Sequence, residues 1–337
     1  MRRALLALLC ALPVLAHSWV PATAGRPPRA AWLPGPFEKV SAPIMGPSAN
    51  GLDDKNVYNM AVVRDGERFL MLYRGESTKE AKNECTGRLF FAESVDGETF
   101  AREKEPVLTG TEPYESHGVE DPRAVKVGDT FYLTYSGYDG QIARLCLATS
   151  QDYRHWKKHG PIFPRFPSNG RFTENWTKSG AILPEKLTAG RFAGQYVMAF
   201  GDTDLWLATS PDLLHWTYQP EAFMHPRQDR RDCALIEPGP PLMRTREGIL
   251  MLYNSADRQN HYAMFGALLD AEDPTQVLHR TDTPILEPTL GWEQEGYVPY
   301  VVFGEALVPD GDHWNLYYGG ADRAIGLARA ATGEWSR

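Results

Sequence analysis

Apolar residues in this chain fall into short runs, many alternating with polar residues, and Gly, Asp or Pro bounds each run. Turn dipeptides such as Asp65-Gly66, Asp96-Gly97 and Asp310-Gly311 separate neighbouring runs. Alternation with a period of two residues, bounded by such turns, is typical of β-strands. The predicted strands include residues 59–63, 69–73, 89–93, 130–135 and 144–149. Because hardly any segment keeps a helical period, the pattern predicts an all-β protein.

An aromatic residue followed by small residues ends a strand-like segment five times, at intervals of about sixty residues. The five endings are Leu72-Tyr73-Arg74-Gly75, Leu133-Thr134-Tyr135-Ser136-Gly137, Met198-Ala199-Phe200-Gly201, Leu252-Tyr253-Asn254 and Leu316-Tyr317-Tyr318-Gly319. A repeat of this length is too long for a solenoid unit and suits a propeller blade of several strands. The sequence therefore predicts a five-bladed β-propeller with its functional site at the central axis.

A second repeated element follows the first three of these endings. It contains Ser94-Val95-Asp96, Ser150-Gln151-Asp152 and Ser210-Pro211-Asp212, and the last two are followed by His155-Trp156 and His215-Trp216. We interpret each Asp as the cap of a turn and each Trp as filling the gap between adjacent blades. These residues therefore indicate the fold and not the chemistry.

The first 46 residues differ in composition from the rest of the chain. Residues 1–24 have a basic start, an apolar run too short to cross a bilayer and a small-residue end, which is typical of a secretory signal peptide. Residues 25–46 are predicted to form a linker and an edge strand, near residues 37–40, that closes the last blade. Residues 47–337 are predicted to form one propeller domain. We therefore expect a secreted or periplasmic protein.

Charge and cysteine content argue against several classes of function. The formal net charge is -8 and the chain has no basic stripe, so we expect neither nucleic acid nor an anionic membrane as partner. No apolar run in the mature chain is long enough to predict a membrane span.

Once Cys10 is removed, the three remaining cysteines, Cys85, Cys146 and Cys233, allow at most one disulfide. Since none has a Cys or His at metal-ligand spacing, we expect buried thiols, no metal and no cofactor. The oligomeric state stays open.

Charged residues cluster in the segment His117-Gly118-Val119-Glu120-Asp121-Pro122-Arg123, which opens the second repeat. An innermost strand is predicted to begin there, with its acids facing the axis. A buried carboxyl beside a second acid has a raised pKa, which suits a general acid that protonates a glycosidic oxygen. The alternative is an Asp–Arg pair that holds a turn, and the residues alone support both interpretations equally.

Further motifs follow this segment in a characteristic order. They include Leu147-Ala148-Thr149-Ser150, Glu237-Pro238-Gly239-Pro240-Pro241 and Leu316-Tyr317-Tyr318-Gly319-Gly320-Ala321-Asp322. Together with Glu-Asp-Pro-Arg, they resemble glycoside hydrolase family 130 over residues 56–330. The resemblance implies an inverting enzyme that acts on β-mannosides, in a family whose members are mostly phosphorylases.

The resemblance also implies roles for individual residues. Asp121 matches the catalytic acid of the family, which acts through a hydroxyl group of the mannose. Glu120 lies beside this acid and is assigned to the substrate site with it. The positions that match residues lining the mannose pocket are Asn59, Arg74, Arg123 and Asp322.

Two acids stand where phosphorylases of the family carry small or basic residues, namely Glu237 and Asp202. An acid that faces a phosphate dianion costs on the order of 4 kcal/mol per charge pair at about 4 Å and an effective dielectric constant of 20. The same acid suits an inverting hydrolase, which activates water from the face opposite the leaving group. Asn254 stands where phosphorylases have a His near the phosphate, in a Tyr-His-Gly segment.

Two cations favour the opposite view. Lys178 matches a lysine near the phosphate of phosphorylases, and Arg144 is predicted to reach inward. We interpret both as substrate-site residues whose positive charge offsets Asp202 and Glu237.

The leading hypothesis is an exported inverting glycoside hydrolase that releases mannose from β-mannosides, with a β-1,2 linkage by analogy with the acid-bearing hydrolase subgroup. Asp121 is its general acid, and Glu237 or Asp202 activates water. One alternative is a β-mannoside phosphorylase, which would need inorganic phosphate and form mannose 1-phosphate. Another is a non-catalytic glycan-binding propeller, which would bind an oligosaccharide without turnover.

Overall fold

The computed structural model describes residues 32–49, 51–79, 86–168 and 172–333. The predicted signal peptide, the start of the predicted linker and Cys85 lie outside these residues. The described chain forms five antiparallel sheets, which confirms the predicted five-bladed β-propeller. No helix in these ranges is long and apolar enough to cross a membrane.

The blades follow one another along the chain. Strand β1 (Glu38–Lys39) precedes them. Blade one contains β2 (Asn56–Asp65), β3 (Arg68–Glu76), β4 (Arg88–Ser94) and β5 (Ala101–Leu108). After a 3-10 turn (Pro113–Glu115), blade two contains β6 (Gly118–Val127), β7 (Thr130–Tyr138), β8 (Ala143–Ser150) and β9 (Lys157–Pro161). Blade three contains β10 (Ala181–Ile182), β11 (Tyr196–Phe200), β12 (Trp206–Ser210) and β13 (Thr217–Tyr218).

Blades four and five complete the ring. Blade four contains β14 (Leu235–Pro238), β15 (Met243–Arg244), β16 (Ile249–Ala256), β17 (Tyr262–Leu269) and β18 (Val277–Arg280). After helix α1 (Gly291–Gln294), blade five contains β19 (Val302–Asp310), β20 (His313–Gly320) and β21 (Ala324–Ala331). Its outer strand is β1, where Glu38 pairs with Arg329. An early strand thus completes a sheet that is otherwise built from the last strands of the chain.

The apolar core lies between neighbouring blades. One cluster joins Leu72 and Phe91 of blade one to Leu133 of blade two, and comparable clusters fill the other four junctions. Each blade therefore buries both of its faces. This explains why a strand such as β16, which is buried along its whole length, has a nearly continuous apolar run.

The strand-ending tyrosines of four blades share one arrangement. The tyrosine hydroxyl donates a hydrogen bond to a buried carboxylate from the segment before the blade, and a cation pairs with that carboxylate. The sets are Tyr73–Asp53–Arg102, Tyr135–Glu115–Lys158, Tyr253–Asp232–Arg280 and Tyr318–Glu293–Lys39. Blade three has Phe200 in the place of the tyrosine, and the centre of its ring lies 4.6 Å from the centre of the Phe163 ring. Because a buried carboxylate is stable only when it is paired, each set ties a blade to the loop that leads into it.

The Ser-x-Asp elements form the predicted turns. In blade two, Ser150 Oγ accepts a hydrogen bond from the backbone N–H of Tyr153. Asp152 Oδ1 accepts one from the N–H of His155, and the elements of blades one and three repeat these contacts. Trp156 packs into the cluster between blades one and two.

The two described cysteines, Cys146 and Cys233, are buried free thiols.

Candidate active site

Asp121 lies on β6, the first strand of blade two. Between Glu120 and Arg123, the pairing of β6 with β7 is shifted by a β-bulge. The bulge contains Asp121, whose φ of 52° is a left-handed conformation that few non-glycine residues adopt. The residue is 4% exposed. A strained backbone at a buried acid, beside a bulge, points to a functional site.

The first strands of blades one and five carry bulges as well. The pairing of β2 shifts at Asn59, which has a φ of 42°, and that of β19 shifts at Glu305. Strands β2, β6 and β19 contact one another. Asn59 Nδ2 donates a hydrogen bond of 2.7 Å to Asp121 Oδ1. The bulges therefore gather polar side chains from three blades.

Two cations contact Asp121. Lys178 Nζ lies 3.1 Å from Oδ2, and Arg74 Nη1 lies 3.2 Å from Oδ1. Burial alone would raise the pKa of Asp121, but Lys178, Arg74 and the hydrogen bond from Asn59 outweigh it and hold this pKa below its ordinary value. The raised pKa expected from the neighbouring acid is therefore wrong for Asp121 in the free protein. Burial does raise the pKa of Glu120, which pairs with Arg74 at 2.9 Å.

Glu237 lies on β14, the first strand of blade four, and is 4% exposed. Ser179 Oγ donates a hydrogen bond of 2.7 Å to Glu237 Oε2, and Lys178 Nζ lies 3.9 Å from the same oxygen. Burial raises the pKa of Glu237 to about 7; Lys178 lowers it, and Asp202 and Asp121 raise it further.

Lys178 thus joins the two predicted catalytic carboxylates. The distances from Nζ to Asp121 Oδ2 and to Glu237 Oε2 limit the separation of these two oxygens to at most about 7 Å, at or below the lower end of the roughly 6.5–9.5 Å range of inverting glycosidases.

Asp202 follows β11 and is buried near Glu237. Trp176 Nε1 donates a hydrogen bond of 3.2 Å to Asp202 Oδ2. Oδ1 is buried without a hydrogen-bond partner within the described ranges. Asp202 acts electrostatically on both Lys178 and Glu237. A buried acceptor left unpaired beside Glu237 is suited to hold a water molecule or a sugar hydroxyl.

Asp322 lies in the turn after β20, where Ala321 and Asp322 have φ values of 47° and 50°. Burial raises the pKa of Asp322 to about 7, and Arg74 lowers it while Asp121 raises it. The turn therefore brings Asp322 into the same group of charges. We call this group the axial cluster. It consists of Asn59, Arg74, Glu120, Asp121, Lys178, Asp202, Glu237 and Asp322.

Three residues assigned to substrate binding contact other parts of the protein. Arg123 is 1% exposed, and its guanidinium donates to backbone carbonyls. The Asn254 amide is buried and forms two hydrogen bonds with Gly304. Arg144 pairs with Asp139 at 2.6 Å, in the loop after β7. In this structure, Arg123 and Asn254 hold the backbone, and Arg144 holds a loop.

Sequence reasoning missed Glu305 and Ser179. Glu305 is fully buried, pairs with Arg123 at 3.1 Å, and has a pKa that burial raises well above the ordinary value. A lone charge within the apolar run 302–308 is the signal that identifies it. Ser179 carries no comparable signal, because serine is common in turns. Among the described residues, no group of His, Cys, Asp and Glu is arranged to hold a metal ion.

The fold and the axial cluster agree with one family of carbohydrate-active enzymes. The chain belongs to glycoside hydrolase family 130, whose model, described as beta-1,4-mannooligosaccharide phosphorylase, matches residues 47–334. This confirms the resemblance in the sequence motifs. Members of the family act on mannosides and include both phosphorylases and glycosidases.

Three relatives illustrate that the family includes both phosphorylases and glycosidases. The chain is 35% identical over 296 residues to the 1,2-beta-oligomannan phosphorylase of Thermoanaerobacter sp. (strain X514), covering 85% of this chain and 94% of the relative. A structure reported as "The GH130 family of mannoside phosphorylases contains glycoside hydrolases that target beta-1,2 mannosidic linkages in Candida mannan" is 32% identical, with coverages of 91% and 99% and a TM-score of 0.81. A glycosyl hydrolase from Bacteroides ovatus is 30% identical, with coverages of 90% and 98% and a TM-score of 0.81.

Proposed function

We propose that this protein is an exported inverting hydrolase that releases mannose from β-1,2-linked mannosides. Asp121 donates the proton, and Glu237 activates the attacking water with Asp202 beside it. The mannose unit binds to Asn59, Arg74 and other members of the axial cluster.

The observation that carries the proposal is the pair of carboxylates, Glu237 and Asp202, beside Lys178. A phosphate dianion bound there would meet two acids and one cation that already pairs with Asp121. Each repulsion would cost on the order of 4 kcal/mol at about 4 Å and an effective dielectric constant of 20. A neutral water molecule meets no such repulsion, so the charges favour water as the nucleophile.

Glu237 has the properties of a general base. Such a base works best when its pKa lies near the operating pH. Burial raises the pKa of Glu237 to about 7, so a large fraction is ionised at neutral pH and yet binds a proton readily. The hydrogen bond from Ser179 fixes one carboxylate oxygen, so the other is available to a water molecule.

Asp121 must hold a proton before it can donate one, whereas in the free protein its cationic neighbours lower its pKa. A bound mannose unit excludes water from the site, and the loss of water around the carboxylate disfavours its charged form and raises the pKa of Asp121. Asp121 then delivers its proton through a sugar hydroxyl to the glycosidic oxygen. The bond from that oxygen to the anomeric carbon breaks as water attacks the carbon and transfers a proton to Glu237.

The β-1,2 linkage rests on the relatives. Both the Thermoanaerobacter phosphorylase and the hydrolases of the 32% identical structure are described as acting on β-1,2-linked mannosides. The family model is described by β-1,4-mannooligosaccharides, so the two linkages need to be compared directly.

Phosphorolysis is the second candidate, and Lys178 is the observation that favours it. Its ammonium group lies within 4 Å of two carboxylates and would be the nearest cation for a phosphate in the site. The phosphorylase relatives support the same view.

Export rests on residues 1–24 and would place hydrolysis outside the cytoplasm. Mass spectrometry of the mature protein from the producing cell tests it: a chain that starts near residue 25 is expected, and an intact Met1 would contradict export.

The activity is tested by incubating the protein with β-1,2- and β-1,4-mannobiose at pH 7.5, with and without inorganic phosphate. The expected product is mannose from the β-1,2 isomer, at a rate that phosphate does not change. Glu237→Gln should lower this rate by roughly 10²–10⁴-fold. Mannose 1-phosphate formed only with phosphate would support the phosphorylase, and binding without turnover would support a glycan-binding propeller.

A further inference from the structure

Arg123 connects two strands that lie far apart in the sequence. Its Nε donates to the carbonyl of Gly239 at 2.9 Å, and its Nη2 donates to that of Pro238 at 2.8 Å. Its Nη1 donates to the carbonyl of Asp121 at 3.2 Å. One planar group therefore holds the backbone of the proposed acid and the two residues directly after the proposed base, Glu237.

The guanidinium is enclosed by protein. The side chain is 1% exposed, which leaves no surface for a sugar. The carboxyl group of Glu305, which is fully buried, lies 3.1 Å from it. Any effect of Arg123 on catalysis therefore has to pass through the residues that it contacts.

Neighbouring contacts fix the Glu305 side of this arrangement. Asn254 Nδ2 donates to the carbonyl of Gly304 at 3.0 Å, and the N–H of Gly304 donates to Asn254 Oδ1 at 2.8 Å. A Cβ added to Gly239 would lie only 2.9 Å from the carbonyl oxygen of Gly304. Glycine at 239 thus permits the residue after β14 to approach β19 closely, and Asn254 holds the bulge that carries Glu305.

The bulge at Asp121 explains why such a support is needed. Left-handed backbone in a non-glycine residue persists only where the surrounding structure holds it. The hydrogen bond from Arg123 to the carbonyl of Asp121 supplies part of that support. The guanidinium is a rigid planar fork whose donors reach three carbonyls in fixed directions, whereas lysine carries its donors on one nitrogen and cannot reproduce their spacing.

We propose that Arg123, oriented by Glu305, is a positioning residue that sets the separation between the carboxylates of Asp121 and Glu237. The inference rests on the proposed roles of those two acids. Reaction geometry is sensitive to such distances, since a misplacement of about 1 Å can lower a rate by about 10²-fold.

Arg123→Lys tests the proposal because it keeps the charge and removes the fork. We expect kcat to fall about 100-fold while KM stays within about threefold, since the sugar contacts are retained. The matched control is Arg280→Lys, because Arg280 also donates three hydrogen bonds, to Asp232, to Tyr253 and to the carbonyl of His225. The control should lose comparable stability and keep its kcat per folded molecule.

Glu305→Gln provides a second variant if Arg123→Lys does not fold. It keeps the shape of the side chain and removes the carboxyl group that contacts the guanidinium, so we expect kcat about tenfold lower with KM unchanged. A folded Arg123→Lys protein with wild-type kcat would overturn the proposal. If only Glu305→Gln folds, a wild-type kcat in that variant would overturn it.

If the proposed hydrolytic function is wrong, this appears in the wild-type protein and not in the variants. A wild-type protein that turns over mannosides only with phosphate would contradict hydrolysis. The same comparison of kcat and KM would then be made with phosphate present, and would still test whether Arg123 positions the site.

Discussion

Replacing Glu237 by Gln should stabilise the folded protein at alkaline pH while it removes activity. Gln has nearly the shape of Glu, and its carbonyl oxygen can still accept the hydrogen bond from Ser179. What it removes is the negative charge that burial makes unfavourable. The same substitution should therefore affect stability and turnover in opposite directions.

The size of the effect follows from the pKa of Glu237, which burial raises from 4.5 to about 7. A carboxyl whose pKa is higher in the folded than in the unfolded protein holds its proton more tightly when folded. The free energy of unfolding therefore decreases as the pH rises from about 4.5 to about 7. Since a tenfold difference in proton affinity equals about 1.4 kcal/mol, ionised Glu237 costs about 3 kcal/mol above pH 7.

Urea denaturation of the wild type and of Glu237→Gln between pH 4 and pH 8 measures this cost. The two proteins should have similar free energies of unfolding at pH 4, and the variant should be about 3 kcal/mol more stable at pH 8. A difference in free energy of unfolding that does not change with pH would contradict the inference that burial of ionised Glu237 destabilises the fold. A variant that is less stable than the wild type at pH 8 would contradict it as well.

Glu76→Gln is the control of opposite sign. Burial would raise the pKa of Glu76, but its ion pair with Arg74 and its hydrogen bonds from Asn56 and Tyr58 outweigh burial and lower it. Ionised Glu76 therefore stabilises the fold above its unfolded pKa, and this contribution is lost as the pH falls through its folded value. Its Gln variant should be less stable at pH 8, with a loss that shrinks in acid.

Three further predictions concern chemistry. Asp121→Asn should lower turnover by roughly 10²–10⁴-fold without changing the circular dichroism spectrum, and wild-type turnover would contradict its role as acid. Binding of a non-hydrolysable β-mannoside at pH 7 should be accompanied by proton uptake, because Asp121 becomes protonated. Calorimetry in buffers of different ionisation enthalpy measures this uptake, and binding without it would refute the protonation of Asp121. Replacing Cys85, Cys146 and Cys233 by Ser should keep turnover per folded molecule within severalfold, and an inactive folded variant would indicate a thiol function.

The blades could be predicted from sequence because one physical requirement repeats in them. A strand-ending tyrosine such as Tyr135 needs a partner for its hydroxyl, and the buried Glu115 supplies it. The Ser-x-Asp turns repeat for the same reason, since the side chains satisfy backbone N–H groups where a strand reverses. Such local requirements leave a signal at fixed positions.

The charge state of Asp121 could not be predicted in this way. The adjacent Glu120 suggests a raised pKa, but the deciding cations are Lys178 and Arg74, which come from other parts of the ring. Their distances to Asp121 depend on how the blades close around the axis. No periodic pattern in a single strand contains that information.

The side-chain directions of Arg123 and Asn254 were unpredictable for a related reason. The bulge at Asp121 changes the alternation along β6, so a residue two positions later cannot be assigned to a face by counting. Asn254 binds Gly304 because β16 and β19 approach closely, which involves two different blades. Arg123 matches the family pattern and Asn254 departs from it, but the contacts of both become clear only in the folded ring.

The first product formed in phosphate buffer distinguishes phosphorolysis from hydrolysis by water that attacks the face opposite the leaving group. Proton and phosphorus NMR spectra are recorded during the initial turnovers of β-1,2-mannobiose by the wild-type protein, before mannose equilibrates between its anomers. We predict that α-mannose at first exceeds its share in the equilibrium mixture of anomers and that no sugar phosphate resonance appears. A resonance of mannose 1-phosphate that grows with turnover, or an initial excess of β-mannose over its equilibrium share, would contradict this mechanism.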